Sequence, residues 1–479
     1  MDKVVAYYVG LFLRVFSGLL LLPVAVGLFF GESFILLEGF IIAAFVSILS
    51  GVFLIFGENG RPDAVQGMLA AVIGWICAVA IGSIPFMHVL EMGFVNAFFE
   101  SMSGFTTTGM SIIRSIEHAP KSLVFWRAFI QWIGGLGILT FFVAVIVKVG
   151  GAATALATAE ADKTDSGKMR PSVLNSIKSM WYVYIVFTLL QISLLYLGGL
   201  KPFEALNYAL TTLPTGGYAH TIGGIGGFES VFVNSVFVIF MFIGGTNFLL
   251  LYGLTKGNIG AFLKDFEFKL YLKIILAVFA IISLDIFLNK GGSIISAAGD
   301  SIFHTVSVAS SSGFTLRSLS SFPEVSKMLL IGLMFVGGCL GSTTGGIKMY
   351  RLGILLKIVW REVKSFTLPR SALNFVSEGG EKLKNDVVFR IVAIFFLWLA
   401  LIFIGGLITV MFSGLGILES IQGILSSISS MGPLLISQET LIALPPGIKL
   451  LWSFVMLAGR LELLPILVFL NVEILKRFS

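Results

Sequence analysis

Apolar runs long enough to cross a membrane alternate along this chain with shorter apolar runs that end in hydroxyl residues and glycine. A spanning helix needs about 20 mostly apolar residues. By that rule spans are predicted at 5–30, 34–56, 66–88, 122–148, 179–199, 229–253, 268–289, 327–357 with an internal break, 387–412 and 448–475, ten in all. The first run is read as a span and not a signal peptide, because Arg14 interrupts it and no small-residue cleavage pattern precedes Gly31.

Four connections, 89–121, 200–228, 290–326 and 413–447, are too long and too apolar to be simple loops. Each holds an apolar segment too short to span. Such segments fit re-entrant pore helices, which survive at membrane depth only where protein or an aqueous cavity surrounds them.

The four segments end alike, in "FTTTGM" (105–110), "LPTGGY" (213–218), "SSSGFT" (310–315) and "SSMGPL" (429–434). One glycine aligns in each: Gly109, Gly216, Gly313 and Gly432. A second glycine feature follows in the next span, at Gly134-Gly135, Gly244-Gly245, Gly337-Gly338 and Gly459-Arg460, at offsets of 25, 28, 24 and 27 residues. Twelve or thirteen residues before the first glycine stands Asn96, Glu204, Asp300 or Glu419, residue types that cap helix N-termini. The predicted unit is therefore span, capped half-helix, hydroxyl-glycine strand, span. It recurs over 58–160, 161–262, 263–380 and 381–479, behind a two-helix extension at 1–57.

Singly, such a hydroxyl-glycine stretch is ordinary helix-packing material in membranes. Four in phase point elsewhere. Half-helices around one axis aim their partly negative C-terminal ends at the membrane centre, and extended backbone beyond them lines a path with carbonyl oxygens that replace a cation's hydration shell. The candidate ion-coordinating residues are Thr107, Thr108 and Gly109; Pro214, Thr215 and Gly216; Ser311, Ser312 and Gly313; and Ser430, Met431 and Gly432.

Composition agrees: 57% hydrophobic and 12% charged residues leave too little polar surface for a water-facing exterior. The fold class is an all-α integral membrane protein with fourfold pseudo-symmetric repeats around one ion pore. The net charge of +6 does not point to nucleic acid, because the basic residues sit in loops beside apolar spans. Lys148, Lys163, Lys168, Arg170 and Lys178 follow the fourth span, and Lys256, Lys264 and Lys269 the sixth. Lys357, Arg361, Lys364, Arg370, Lys382 and Lys384 follow the eighth, with Lys476 and Arg477 at the C-terminus. The positive-inside rule makes these ends, and the N-terminus, cytoplasmic. Cys77 and Cys339 lie in apolar surroundings and suggest neither a disulfide framework nor a zinc site. His88, His118, His220 and His304 are scattered, with no metal-ligand spacing.

Two intramembrane features bear on gating. In "GGCLGSTTGGIK" (337–348) the glycines and hydroxyls, Gly341, Ser342, Thr343, Thr344, Gly345 and Gly346 before Lys348, suit a helix break; a packing kink is the plainer alternative. Arg460 lies where the other repeats carry glycine. A guanidinium at that depth costs on the order of 3 kcal/mol unless it faces water or a partner, so it is expected to face the pore or else to pair, for instance with Glu462.

These stretches, with "FWRAFIQWIGGLGI" (125–138), "GCLGSTTGGIKMYR" (338–351) and "MLAGRLELLP" (456–465), resemble the Trk/Ktr/HKT superfamily of potassium transporters, specifically its Trk-type membrane subunits. The resemblance covers roughly 60–479, and 1–57 looks like the extra helix pair of the Trk branch. It implies a cell-membrane homodimer with one pore per subunit, K+ as the transported ion, and a separately encoded cytosolic nucleotide-binding (TrkA-like) regulatory subunit. It also implies that 341–346 blocks the pore below the filter and that Arg460 projects beneath it. Gly109, where sodium-favouring plant relatives carry serine, favours potassium. Pro214 and Met431 depart from the usual hydroxyl pattern. The cytoplasmic basic face is expected to meet the regulatory subunit or anionic lipid headgroups.

No His-Glu-x-x-His or Asp-rich motif is present, so a membrane-embedded enzyme is not expected. An ion-coupled secondary transporter, driven by protons or sodium, is the nearer alternative. Such transporters typically show twofold or inverted repeats, and the pattern here is fourfold and parallel.

Overall fold

The computed structural model of the chain describes residues 2–56, 60, 62–114, 116–149, 170–220, 224–291, 293–367, 375–378, 381–434 and 436–471. Of the basic residues named above, Lys163, Lys168, Arg370, Lys476 and Arg477 lie outside them.

Among the described residues the regular structure is helical apart from two paired two-residue strands, Ser377–Glu378 and Glu381–Lys382, and an isolated bridge between Val336 and Ile347. Six helices among the described residues are long and apolar enough to cross a membrane: Lys3–Phe29, Phe34–Leu54, Ala64–Leu90, Asn175–Leu197, Phe266–Asn289 and Asn385–Ser413. The predicted span at 122–148 is the single helix Lys121–Val149. Large apolar side chains such as Phe53, Phe396 and Phe403 point outward, as a hydrocarbon solvent favours.

The remaining spans are broken. The predicted span 327–357 is two helices, Glu324–Met334 and Met349–Ser365, on either side of a non-helical stretch. The predicted span 229–253 was expected to be continuous, but Val231–Gly244 and Phe248–Thr255 meet at a 108° bend. Local chemistry permits it: Gly244-Gly245 weakens the helix, and the Asn247 side chain caps the new one by accepting from the Leu249 N–H at 2.8 Å. The last predicted span stops at Arg460 and restarts as Leu464–Leu470, with Glu462 and Leu463 both at positive φ.

Between the spans lie four half-helices, Phe94–Phe105, Pro202–Thr212, Ile294–Ala309 and Ile417–Ser429. Their polar residues were expected at the N-cap and instead sit deeper. Glu204 and Glu419 occupy the third helical position, where each carboxylate reaches back to the backbone N–H of Lys201 (3.3 Å) or Gly416 (3.2 Å). Asn96, also third in its helix, accepts from Lys449 Nζ at 2.9 Å. The third half-helix begins a turn earlier, at Ile294 behind the Ser293 cap, which leaves Asp300 in its interior facing Arg317 Nε at 3.5 Å.

The N-terminal pair docks on this frame by small residues and aromatics. Lys3–Leu19 crosses Phe34–Leu54 where Gly10 and Gly51 meet, each with room for no more than a hydrogen beside the other's carbonyl oxygen. Phe16 then packs against Phe105 and Trp126, and Trp126 Nε1 donates to the Gly82 carbonyl at 3.1 Å. The extension thereby rests on the end of the first half-helix.

Candidate functional site: four strained turns over an intramembrane loop

Beyond each half-helix the backbone makes the same turn. Thr107, Thr215, Ser311 and Ser430 take φ of 56°, 56°, 54° and 51°. Two residues later Gly109, Gly217, Gly313 and Gly432 take 79°, 75°, 71° and 86°. A left-handed conformation costs a non-glycine residue on the order of 1–2 kcal/mol, and strain of this kind gathers at functional sites. The residue between the two donates its N–H back to a helix carbonyl five positions earlier: Thr108 to Ser103 (2.9 Å), Gly216 to Thr211 (2.8 Å), Ser312 to Ser307 (2.8 Å) and Met431 to Ser426 (3.1 Å).

This geometry moves one residue of the sequence alignment. Gly217, and not Gly216, stands with Gly109, Gly313 and Gly432, and the second triplet becomes Thr215, Gly216 and Gly217, with Pro214 outside it. The revised register places Asn96, Glu204, Asp300 and Glu419 uniformly 13 residues before the left-handed glycine.

The turns close on one another. A Cβ on Gly109 would collide with the carbonyl oxygen of Gly216, on Gly217 with that of Ser312, and on Gly313 with that of Met431. On Gly432 it would come within 3.1 Å of the Thr108 oxygen. First abuts second, second third, third fourth and fourth first, so the described turns form a ring of backbone. The second glycine feature shows its purpose in three repeats: a Cβ on Gly134, Gly244 or Gly459 would overlap the carbonyl of Phe105, Leu213 or Ile428, near the end of that repeat's own half-helix. Gly337 faces the Gly345 carbonyl instead, because its helix breaks there.

Every hydroxyl in the ring is buried: Thr107, Thr108, Thr215 and Ser430 have no exposed surface, and Ser311 and Ser312 have 1%. The Ser311 and Ser430 hydroxyls lack a hydrogen-bond partner within the chain. Buried polar atoms of that kind call for a ligand, ion or water.

The loop between Met334 and Met349 runs beneath the ring. Its tip, Thr343, donates through Oγ1 to the carbonyls of Leu213 (3.0 Å) and Gly244 (3.1 Å) and lies 3.3 Å from Thr215 Oγ1. Gly345 lies against the Ser429 carbonyl, so the loop reaches from the second repeat to the fourth. It is braced from within. Thr344 Oγ1 accepts from the Gly338 N–H at 2.9 Å and lies 2.8 Å from Ser342 Oγ, and Lys348 Nζ donates to the Thr344 carbonyl at 2.5 Å.

Arg460 joins the levels: Nη1 donates to Thr107 Oγ1 (3.2 Å) and to the Thr343 carbonyl (2.6 Å), and Nη2 to the carbonyls of Gly134 (2.7 Å) and Gly135. Glu462, the partner considered from sequence, pairs with Arg351. A cavity of about 50 Å³ lies here, lined among others by Gly341, Gly346, Lys348 and Arg460.

Sequence reasoning missed the supports behind the ring. Glu100 and Arg127 form an ion pair at 2.8 Å, 0% and 3% exposed. Glu100 also accepts from the Ile112 N–H (2.9 Å) and Ser111 Oγ (3.0 Å), while Arg127 donates to the Ala219 carbonyl (3.2 Å) and lies over the Tyr218 ring. The pair thus ties the segments leaving the first and second turns. A charged residue in each of two apolar stretches was the available signal.

Helical spans, re-entrant half-helices and a ring of strained backbone define a membrane protein built around a pathway for small ions. The chain belongs to the TrkH family, described as cation transport proteins, whose profile matches residues 38–475. Among its relatives, the Trk system potassium uptake protein TrkH of Salmonella typhimurium is 29% identical over 475 residues, 97% of this chain and 98% of that one. An uncharacterized cation transporter of Methanocaldococcus jannaschii is 34% identical over 404 residues, 84% and 81% of the two chains. The crystal structure of the potassium transporter TrkH from Vibrio parahaemolyticus superposes with a TM-score of 0.87 at 28% identity, covering 98% of this chain and 99% of that one.

Proposed function

We propose that this chain is the pore-forming membrane subunit of a potassium uptake system, with the ring of turns as selectivity filter and the loop 341–346 as gate. The closed ring of four left-handed turns carries this reading. In an ordinary strand successive carbonyls alternate sides, whereas left-handed residues at the first and third positions let successive carbonyls turn to one side. Four such segments around an axis offer a dehydrated K+ a cage of oxygens, to which the Ser311 and Ser430 hydroxyls add ligands. Relatives over nearly the whole length are potassium uptake proteins of Trk systems.

The loop and Arg460 sit on the ring's underside, where a cation leaving the filter passes. A guanidinium there repels it, and the loop fills the path. The functional unit is a homodimer in the cell membrane with both termini cytoplasmic, regulated by a cytosolic nucleotide-binding subunit that meets the basic face including Arg361 and Lys364.

Purified protein in liposomes tests the reading: a K+ gradient should drive flux that discriminates against Na+, and Gly109→Ser should reduce that discrimination. Flux that is equal for both ions in the unaltered protein, or a ratio that Gly109→Ser leaves in place, overturns it.

A further inference from the structure

Gln131 is fully buried in the helix Lys121–Val149, one turn before Gly134, yet it faces the second turn of the ring and not the first. Its Nε2 donates to the Gly216 carbonyl at 2.7 Å, and its Oε1 accepts from the Tyr218 N–H at 3.3 Å. The amide therefore clasps the backbone on both sides of Gly217. Building a Cβ on Gly216 would drive it into the Gln131 amide.

The other repeats do this differently. Three residues before Gly244, Gly337 and Gly459 stand Met241, Met334 and Met456, all buried and none able to donate a hydrogen bond. The residues of the other turns that correspond to Gly216 are Thr108, Ser312 and Met431, which all bear side chains. At one quarter of the ring, then, a side chain is missing from the turn and an amide from the neighbouring repeat takes its place.

From this exchange we infer that Gln131 is a positioning residue for ion selectivity: it holds the Gly216 carbonyl and fixes the second turn around Gly217. The inference rests on the ring being the filter. Of the four carbonyls at this level, that of Gly216 carries a hydrogen bond from an uncharged amide, which weakens it as a ligand and restrains its rotation. The coordination cage is in this way asymmetric, with one side set by a residue outside the turn. Gly216 is glycine to admit Gln131, and Gly217 is glycine for its φ of 75°.

The test is a set of liposome flux measurements giving the K+ to Na+ permeability ratio and total K+ flux, with gel filtration and thermal midpoint as folding controls. Gln131→Leu keeps approximate volume and removes both hydrogen bonds. The ratio should change by about fivefold, the factor a single hydrogen bond typically carries, while the elution volume stays that of the unaltered protein. Gln131→Met keeps approximate length and cannot donate, as at the equivalent buried positions Met241, Met334 and Met456, so it should shift the ratio as well.

Gly216→Ala should cut flux when Gln131 is present and much less in the Gln131→Ala background, since the collision is then gone. An unchanged ratio in Gln131→Leu, or equal damage from Gly216→Ala in both backgrounds, overturns the proposal. Gly109→Ser serves as the separate arm. If it alters the ratio and the Gln131 variants do not, the filter reading stands and the role of Gln131 falls. If neither alters it, the filter reading itself has failed.

Discussion

Arg460 Nη1 donates to the carbonyl of Thr343 at 2.6 Å, which makes the charge of the fourth repeat and the tip of the loop in the third a single unit. The same nitrogen reaches Thr107 Oγ1, so one guanidinium contacts both the loop and the ring of turns.

Removing Arg460 or the loop should therefore act in one direction. Arg460→Ala and deletion of 341–346 should each raise K+ flux through liposomes that lack any regulatory subunit. Repulsion by a guanidinium in a partly screened cavity is worth on the order of 1–4 kcal/mol. The two changes together should fall short of additive, because residues sharing a hydrogen bond couple. Basal flux unchanged by both single alterations in a correctly assembled protein would place the gate elsewhere.

The bend in the sixth span is expected to steady the loop from the side. Phe248 N donates to the Gly341 carbonyl at 3.2 Å, Cys339 N to Gly245 at 2.9 Å and Thr343 N to Gly244 at 3.2 Å. Asn247→Ala removes the cap that starts the second half of that span, at a cost of about 1 kcal/mol. Basal flux should rise severalfold, and flux equal to that of the unaltered protein would show the bend to be inert in gating.

Separating Glu100 from Arg127 should be felt in stability first. Leaving one buried charge without its partner costs roughly 3–5 kcal/mol. Arg127→Met is thus expected to lower the thermal midpoint strongly in detergent, and Glu100→Gln added to Arg127→Met should recover part of the loss. A double variant no more stable than Arg127→Met alone would mean the pair is not an energetic unit.

Ring glycines should divide by mechanism. Gly313→Ala puts a Cβ onto the Met431 carbonyl and forces a φ of 71° on a residue that avoids it, so K+ selectivity should fall sharply. Gly253→Ala, in a helix with open space around it, should leave flux and selectivity alone. Comparable behaviour of the two would argue against a strained ring.

On the face proposed to be cytoplasmic, Lys364 lies exposed and Arg361 half-buried in an ion pair with Glu362, both on the helix Met349–Ser365 downstream of the loop. Reversing both charges should reduce co-purification with a cytosolic regulatory subunit, with the loss greatest at low salt, where surface electrostatics are least screened. Undiminished binding both below and above an ionic strength of about 0.15 M, where the Debye length is about 8 Å, would exclude this face as the dock.

Most spans and the half-helices were legible in the sequence because their signal is local, run length and hydropathy; their caps were not, since Asn96 and Asp300 turn to Lys449 and Arg317 from elsewhere in the chain. The hydroxyl-glycine endings were legible because they recur four times in phase, which single packing motifs do not. The bend at Gly245 was not, since two glycines in an apolar run also suit a continuous helix. What settles it is the Tyr271 hydroxyl against Gly245 and the loop carbonyl waiting for Phe248 N, both distant in sequence.

By itself the sequence determined an all-helical membrane chain, four re-entrant segments, the loop 341–346 as a place that suits a helix break, and Arg460 as a charge that must face water or a partner. Those follow from the chemistry of each segment against a bilayer. Only the tertiary structure decided which of Gly216 and Gly217 turns left-handed, that Arg460 binds carbonyls of two other repeats and Thr107 while Glu462 goes to Arg351, and that Gln131 serves the turn of its neighbour. Adjacent glycines are identical as letters. They differ once a side chain from another helix must fit beside one, and the backbone of the next turn must pass beside the other.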